Sequence, residues 1–269
     1  MNDLVKLLAN NAELMKLVYG DLLQPGVRNV GKALATVLDS ANTLLLPLRL
    51  VNEKTDALFK HHMEEFRKSL EGKPPIEIVE IPAEIGIPIL ERFTYVSDET
   101  CSELFHNLLS ASAQKNSANK AHPSFIAVID QMCPDEAKML KELAYGKPSY
   151  IPHVSAEFRF KPTGAFSDMF GKLTGLERRI SLQFPENVAL YFENLIKLGL
   201  LKDNENRHWH GSDQLYHGLE KLYSDILTNI REAGDAEREY RVYWGYYSQT
   251  HYGELFLDAA GRKAETPKN

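Results

Sequence analysis

The first half of the chain repeats apolar residues at the three- and four-residue spacing of amphipathic helices. The clearest stripe runs from Val27 to Leu45 and predicts one long helix with a single buried face, which ends near Pro47. An earlier stripe over Leu4–Val18 and a more charged one over Asn52–Leu70 predict two further helices. The N-terminal part of the protein should therefore be a set of packed helices.

Proline and glycine interrupt this pattern between residues 72 and 88. The isoleucines alternate there, but closely spaced prolines prevent a long strand, so we predict an extended connector over residues 72–88. The pattern then predicts helices over Ile89–Val96, Cys101–Ala113, His122–Gln131 and Pro134–Leu143. Together these elements define a helical region over residues 1–145.

The character of the sequence changes after this point, because aromatic residues and strict alternation replace the helical spacing. Tyr150–Phe160 and the aromatic Glu239–Ser248 predict strands. Lys161–Leu176 is rich in glycine and aromatic residues, and we predict a loop there. We assign residues 146–261 to a second region and predict that the tail, residues 262–269, is disordered.

The second region contains an order of elements that is typical of winged helices. Glu186–Leu198 predicts a helix, and Gly199 stands where a left-handed C-terminal cap is expected. The leucines around this glycine can bury both the helix and a strand beginning at Leu200, and Ser212–Arg231 predicts a further helix. The predicted fold class is mainly α with minor β, a helical N-terminal region followed by a winged-helix-like C-terminal region.

A winged helix suggests DNA binding, because this fold places a helix in the major groove. The composition opposes that function: the formal net charge is −6, and the candidate recognition helix carries Glu186 and Glu193. We therefore favour a protein partner or self-association over nucleic acid and keep a DNA-binding regulator as an alternative. The side chains available for nucleic-acid contact would be Lys172, Arg178, Arg179, Asn187, Asn194 and Lys197.

The sequence contains no established catalytic motif. It has neither a phosphate-binding loop that ends in Gly-Lys-Ser or Gly-Lys-Thr nor a Gly-x-Ser-x-Gly nucleophile turn, so we predict no catalytic residue, no cofactor and no small-molecule substrate. One group of histidines could supply nitrogen ligands to zinc, but its spacing matches no helical ligand pair and we predict a polar turn. These histidines are His208, His210 and His217.

The chain has two cysteines, which fit a reducing compartment and give no disulfide framework. Its N-terminus lacks the basic start and continuous apolar stretch of a signal peptide, so we expect a cytoplasmic protein. Asp39 and Pro47 interrupt the most apolar segment, so we predict no transmembrane helix. A helix over residues 26–50 that enters a membrane only on activation is an alternative. The interaction face of that effector helix would be Val27, Val30, Leu34, Leu38 and Leu45.

Five blocks of the sequence carry a resemblance to a known family. They are Tyr19–Glu53, Pro82–Leu109, HPSFIAVIDQMCPDEAKML from His122, VALYFENLIKLGLL from Val188 and THYGELFLDAA from Thr250. In these blocks the chain resembles the bacterial Abi-alpha (abortive infection alpha) family, whose terminal helix carries Thr-x-x-Gly-x-x-Phe. The resemblance extends over most of the chain.

This resemblance implies a role in anti-phage defence in bacteria, and it supplies no catalytic residues. We therefore expect an abortive infection protein that acts through protein interaction or self-assembly and not through catalysis. A DNA-binding regulator and a membrane-acting effector built on residues 26–50 are the alternatives. A metal-dependent nuclease that uses the three histidines is a more distant one.

Overall fold

The computed structural model describes residues 25–41, 53–145, 150–207, 209, 211–232 and 237–261. Within these residues the chain is mainly helical with a small antiparallel sheet, which confirms the predicted fold class. It divides into two compact units, one of residues up to 134 together with the segment from 255, the other of residues 135–254. We call them the helical unit and the sheet unit. The predicted helix over Leu4–Val18 and the predicted tail over 262–269 lie outside the described residues.

The helical unit is built from amphipathic helices that agree with the apolar spacing of the sequence. Its helices are α1 (Pro25–Ala41), α2 (Glu53–Leu70), α3 (Ala83–Arg92), α4 (Glu99–Ser112) and α5 (Ser124–Asp130). Short 3₁₀ turns at Pro75–Glu77 and Ala118–Lys120 join them. The C-terminal segment Leu257–Gly261 also belongs to this unit and forms a π-helical turn.

Helix α1 packs its predicted apolar face against α2 and α3. Val30, Leu34 and Val37 are buried there. Helix α3 comes so close that a Cβ atom at Gly86 would lie 2.3 Å from Val37 Cγ2, which explains the glycine. The apolar stripe of α1 therefore forms part of the protein's own core.

Helix α3 begins earlier than the sequence pattern indicates. It starts at Ala83, so the last part of the predicted connector, residues 83–88, is helical and Pro88 lies inside the helix. Pro82 supplies the extended residue before it, with φ −57° and ψ 138°. Burial of Ile85 and Ile89 on the inner face outweighs the one backbone hydrogen bond that proline cannot donate.

A hydrogen-bonded histidine pair joins α2 to α4. His62 Nε2 lies 2.8 Å from the carbonyl oxygen of Val96 and must donate to it, so His62 Nδ1 accepts from His106 Nε2, 3.1 Å away. The ring of Phe93 packs against both imidazoles, with centroid distances of 4.8 Å. Burial lowers the pKa of His106 to about 4 and also lowers the pKa of His62, so both rings are neutral at pH 7.

The sheet unit mixes helices with four strands. Its elements are α6 (Pro134–Tyr145), β1 (Tyr150–Phe160), β2 (Phe166–Leu173), α7 (Val188–Lys197), β3 (Leu201–Glu205), α8 (Asp213–Leu222), α9 (Ser224–Glu232), β4 (Arg238–Gln249) and the first part of α10 (His251–Phe256). The strands form an antiparallel sheet in the order β2-β1-β4-β3. Strand β1 pairs with β4 along its whole length, from Tyr150 opposite Ser248 to Phe160 opposite Arg238.

Alternation along β1 gives the sheet two different faces. On one face Val154 forms an apolar core with Leu219 of α8 and Leu227 of α9. On the other face the polar His153 lies on the side that α7 covers, where Phe192 stacks on the β4 side chain Tyr247. This second face carries His153, Lys172 and Asp203, which line one groove.

The prediction of a loop over Lys161–Leu176 is wrong, because β2 occupies Phe166–Leu173. Gly164, whose φ is 69°, makes the turn from β1 into β2. Strand β2 then pairs with β1 through register shifts around Ala156. Such bulges break the strict alternation by which a strand is found in a sequence.

The elements around α7 agree more closely with the predictions made from the sequence. Gly199 closes α7 as predicted, with φ 75°, and the N–H of Leu200 donates to the carbonyl of Leu195 over 3.0 Å. The predicted helix over Ser212–Arg231 is instead α8 and α9, because Tyr223 between them leaves helical geometry with φ −112° and ψ 23°. The winged-helix-like interpretation stays a prediction.

The histidine pair makes the stability of the helical unit depend on pH. Between pH 6.5 and about 4, His106 binds a proton in the unfolded chain but stays neutral in the folded protein. The free energy of unfolding therefore falls as pH falls through this window. We expect a loss of about 2 to 3 kcal/mol from pH 7 to pH 4. Urea denaturation followed by circular dichroism at several pH values measures it. His106→Gln should flatten the slope, and an unchanged slope in that variant would contradict the assignment.

Candidate functional site

A groove of about 660 Å³ lies on the face of the sheet that carries α7. Side chains from α7 and from all four strands line it. The described lining residues include four carboxylates against one ammonium group, which makes the groove acidic. The charged residues are Glu157, Lys172, Glu193, Asp203 and Glu205.

The floor of the groove depends on a histidine that reaches across a neighbouring strand. His153 of β1 stands opposite Gly245 of β4, and beyond β4 lies β3 with Asp203. The imidazole passes over the glycine, so that His153 Nε2 lies 2.9 Å from Asp203 Oδ1. A Cβ atom at position 245 would lie 2.4 Å from His153 Cε1 and 2.9 Å from the carbonyl oxygen of Asn204. Glycine is therefore required in β4 for this contact to form.

Lys172 of β2 completes the floor. Its ammonium group contacts the carboxylates of both Asp203 and Glu205 on β3. Strands β2 and β3 are the two edges of the sheet, and in a flat sheet roughly 14 Å would separate them. These contacts therefore require the sheet to curl toward the groove, as twisted and bulged sheets do.

The charges on the floor stabilise one another. Burial alone would raise the pKa of Asp203, but its hydrogen bonds with His153 and Lys172 hold that pKa below its ordinary value. Burial would lower the pKa of Lys172, yet the two carboxylates raise it above its ordinary value. Both groups are therefore charged at neutral pH.

The imidazole of His153 has one nitrogen that the described residues leave unpaired. The side chain is 1% exposed, and Nδ1 has no hydrogen-bond partner among the described residues. Because a carboxylate can only accept, Nε2 must donate to Asp203, so in the neutral ring Nδ1 carries a lone pair.

Helix α7 covers one side of this floor and is itself anchored. Phe192 of α7 stacks on Tyr247 with ring centroids 4.0 Å apart, and the same tyrosine contacts the His153 ring at 4.8 Å. Asp135 at the start of α6 accepts hydrogen bonds from the backbone N–H of Gln183, at 2.9 Å, and from the hydroxyl of Tyr191, at 3.2 Å. These contacts hold α7 and the segment that leads into it.

A second polar pair lines the groove. Tyr243 of β4 donates its hydroxyl to the carboxylate of Glu157 on β1. This hydrogen bond raises the pKa of Tyr243 above its ordinary value. Glu193 on α7 lines the groove as well and is exposed. Glu157 and Glu193 thus add two carboxylates to the groove lining besides the two that contact Lys172.

The residues predicted for nucleic-acid contact do not form one basic surface. Lys172 lies in the acidic groove, whereas Arg178 lies over the ring of Tyr223, 5.0 Å from its centroid. Arg179 pairs with Glu142 over 2.6 Å.

The other three residues predicted for nucleic-acid contact lie on or beside α7. Asn187 precedes α7 and makes no capping hydrogen bond with its side chain. Asn194 is half-buried on the helix, and Lys197 is exposed at its C-terminal end.

The proposed metal ligands and the effector face fall partly outside the described residues. His208, His210 and Leu45 lie outside them, and the side chains of Val27 and Leu38 are not described. His217 is exposed, with Nδ1 2.7 Å from the carbonyl oxygen of Asp213. Elsewhere in the described chain no three histidine, cysteine, aspartate or glutamate side chains are arranged to hold a metal ion. Val30 and Leu34 of the effector face are buried in the helical unit.

The fold and the groove define a mainly helical protein whose small antiparallel sheet carries an acidic groove. The chain belongs to the abortive infection alpha family, which matches residues 58–260, and this membership links the protein to abortive infection. The expected family is thereby confirmed.

A solved structure of an uncharacterized protein from the hydrocarbon-degrading marine bacterium Alcanivorax borkumensis SK2 is 12% identical over 55% of this chain and 96% of its own, with a TM-score of 0.33. A likeness of that size carries no argument. No curated protein matches the chain significantly. Across the described residues, no helix combines the length and the apolar character that crossing a membrane requires.

Gly245→Ala tests the geometry of the floor. The added methyl group must displace the His153 ring and break its contact with Asp203, so we expect the free energy of unfolding to fall by about 1 to 3 kcal/mol. Both tryptophans, Trp209 and Trp244, lie in the sheet unit, so their fluorescence during urea denaturation reports it.

The matched control is Gly218→Ala on α8. A Cβ atom there meets nothing within 4 Å, so stability should stay unchanged or rise by up to about 1 kcal/mol. Equal effects of the two alanine variants would show that the crossing over β4 does not constrain the sheet.

Proposed function

We propose that this protein acts in bacterial anti-phage defence as a non-catalytic binding protein whose acidic groove receives a basic segment of a partner protein. Membership of the abortive infection alpha family supports the defence role. The observation that carries the binding role is the groove itself, whose floor is held by cross-strand contacts of His153, Lys172 and Asp203. A site fixed in this way needs little reorganisation when a ligand binds.

The charges that line the groove indicate which side chains a partner would present to it. The groove lining holds four carboxylates and one ammonium group, so negative charge is in excess. Lys172 already pairs with Asp203 and Glu205, which leaves Glu157 and Glu193 as the other carboxylates of the lining. Lysine or arginine side chains of a partner would pair with these two carboxylates, and complementary charge also speeds association.

The same charges argue against nucleic acid as the ligand of this groove. Phosphate groups would be repelled by Glu157, Glu193 and Glu205. The predicted basic contacts also have acidic or aromatic partners of their own, Glu142 for Arg179 and Tyr223 for Arg178. We therefore place protein binding ahead of DNA regulation.

We also place the protein in the cytoplasm. Cys101 is buried, Cys133 is half-buried, and no disulfide joins them. Cysteines outside disulfides are ordinary in a reducing compartment. The burial of Val30 and Leu34 in the helical unit supports a core role for α1 over a membrane-inserting one.

Glu193→Lys tests the proposed role of the groove. The side chain is exposed, so charge reversal should leave the melting temperature nearly unchanged while it repels a basic partner. We expect cells that express this variant to lose protection in a phage plating assay. A crosslinking pull-down during infection should recover the partner with the natural protein and not with the variant.

Glu186→Lys is the matched control, because Glu186 is equally exposed, lies just before the same helix and does not line the groove. It should keep full protection. Full protection by Glu193→Lys would overturn the proposal, as would a low-salt gel shift in which the natural protein binds DNA at micromolar concentration. If sedimentation shows an oligomer that Glu193→Lys dissociates, the occupant is a second copy of this chain.

A further inference from the structure

The sheet unit contains a second cavity, separate from the acidic groove. It has a volume of about 300 Å³ and lies between the end of α6, the start of β1 and one face of α8. No residue lines both this cavity and the groove. A ligand of this cavity would therefore bind independently of any partner in the groove.

The walls of this cavity are mostly apolar. Leu143, Ile151 and Leu219 form buried parts of the lining. Leu215 and Leu222 line it as well but remain 40% and 39% exposed. A large aliphatic side chain exposed beside an apolar cavity gains from any apolar ligand that fills the space.

A glycine in the middle of α8 keeps the cavity open. Glycine is among the least favourable residues inside a helix, and Gly218 has no left-handed φ that would require it. A Cβ atom there would meet nothing within 4 Å, so packing within the described chain does not exclude a side chain either. Gly218 lines the cavity, and its missing side chain leaves room for a ligand.

Two arginines line the same cavity. The guanidinium carbon of Arg178 lies over the ring of Tyr223, 5.0 Å from its centroid, and a cation–π contact of this kind does not use up the N–H donors. Arg179 is 54% exposed and bonds to Glu142 through Nη2. A guanidinium has five N–H donors, so a single carboxylate contact leaves donors for a second anion.

We propose that this cavity binds a small amphipathic anion, an apolar chain or ring that carries a carboxylate or phosphate group. The apolar part lies beside Gly218 and the leucines of α8, and the anionic group binds Arg178 and Arg179. The volume lies at the small end of ligand sites in proteins, which limits the ligand to a short chain or a single ring.

Isothermal titration of the full chain with octanoate, octyl phosphate and octanol tests this proposal. We expect both anionic probes to bind more tightly than octanol. Arg178→Gln combined with Arg179→Gln should weaken the anionic probes about tenfold or more and leave octanol unchanged. Both arginines are exposed, so this variant should fold normally.

The apolar part of the site has its own pair of variants. Gly218→Leu fills the cavity and should remove measurable binding of all three probes, whereas Gly218→Ala should retain it. A melting curve without ligand shows that each variant is folded. No binding of either anionic probe to the natural protein overturns the proposal, and so does octanoate binding that survives in a folded Gly218→Leu. Octanol binding as tight as octanoate binding overturns the role of the arginines.

Discussion

The imidazole of His153 reaches Asp203 only by passing over β4, and this crossing fixes the centre of the sheet unit. It requires glycine at position 245, where a Cβ atom would lie 2.4 Å from His153 Cε1. It also positions the Asp203 carboxylate to meet Lys172 from the opposite edge of the sheet. Because these groups hold one another, the curl of the sheet and the floor of the groove follow from the same contacts.

The strict alternation of β1 explains why one small sheet carries two sites of different chemistry. Val154 and its neighbours on one face are apolar and pack under α8 and α9, beside the cavity that contains Gly218. His153 and Glu157 on the other face are polar and line the acidic groove. The proposed basic protein segment would bind one face, and the proposed amphipathic anion would bind the other.

Much of the fold could be predicted from spacing alone. Strand β1 is confirmed over Tyr150–Phe160, and the cap at Gly199 is confirmed by its left-handed φ. Strand β2 could not be predicted, because its pairing with β1 is bulged and its sequence does not alternate cleanly. Helix α3 was obscured by Pro88, whose cost is offset by burial that the local pattern does not reveal.

The candidate site was harder to find, because His153 and Asp203 are fifty residues apart and meet only through the strand order. The sequence did hold a signal in Gly245, a glycine inside an otherwise aromatic strand, which indicates close approach of another group. The basic residues that the sequence offers for nucleic-acid contact lie apart in the structure. Lys172 belongs to the groove, whereas Arg178 and Arg179 line the other cavity.

A double-mutant cycle on His153 and Asp203 tests the central claim most directly. The free energy of unfolding of His153→Ala, of Asp203→Ala and of the double variant is compared with that of the natural protein, by urea denaturation followed by tryptophan fluorescence at pH 7. If the crossing fixes the sheet unit, the two substitutions should couple by more than about 1 kcal/mol. Additive effects, within about 0.5 kcal/mol, would contradict the account.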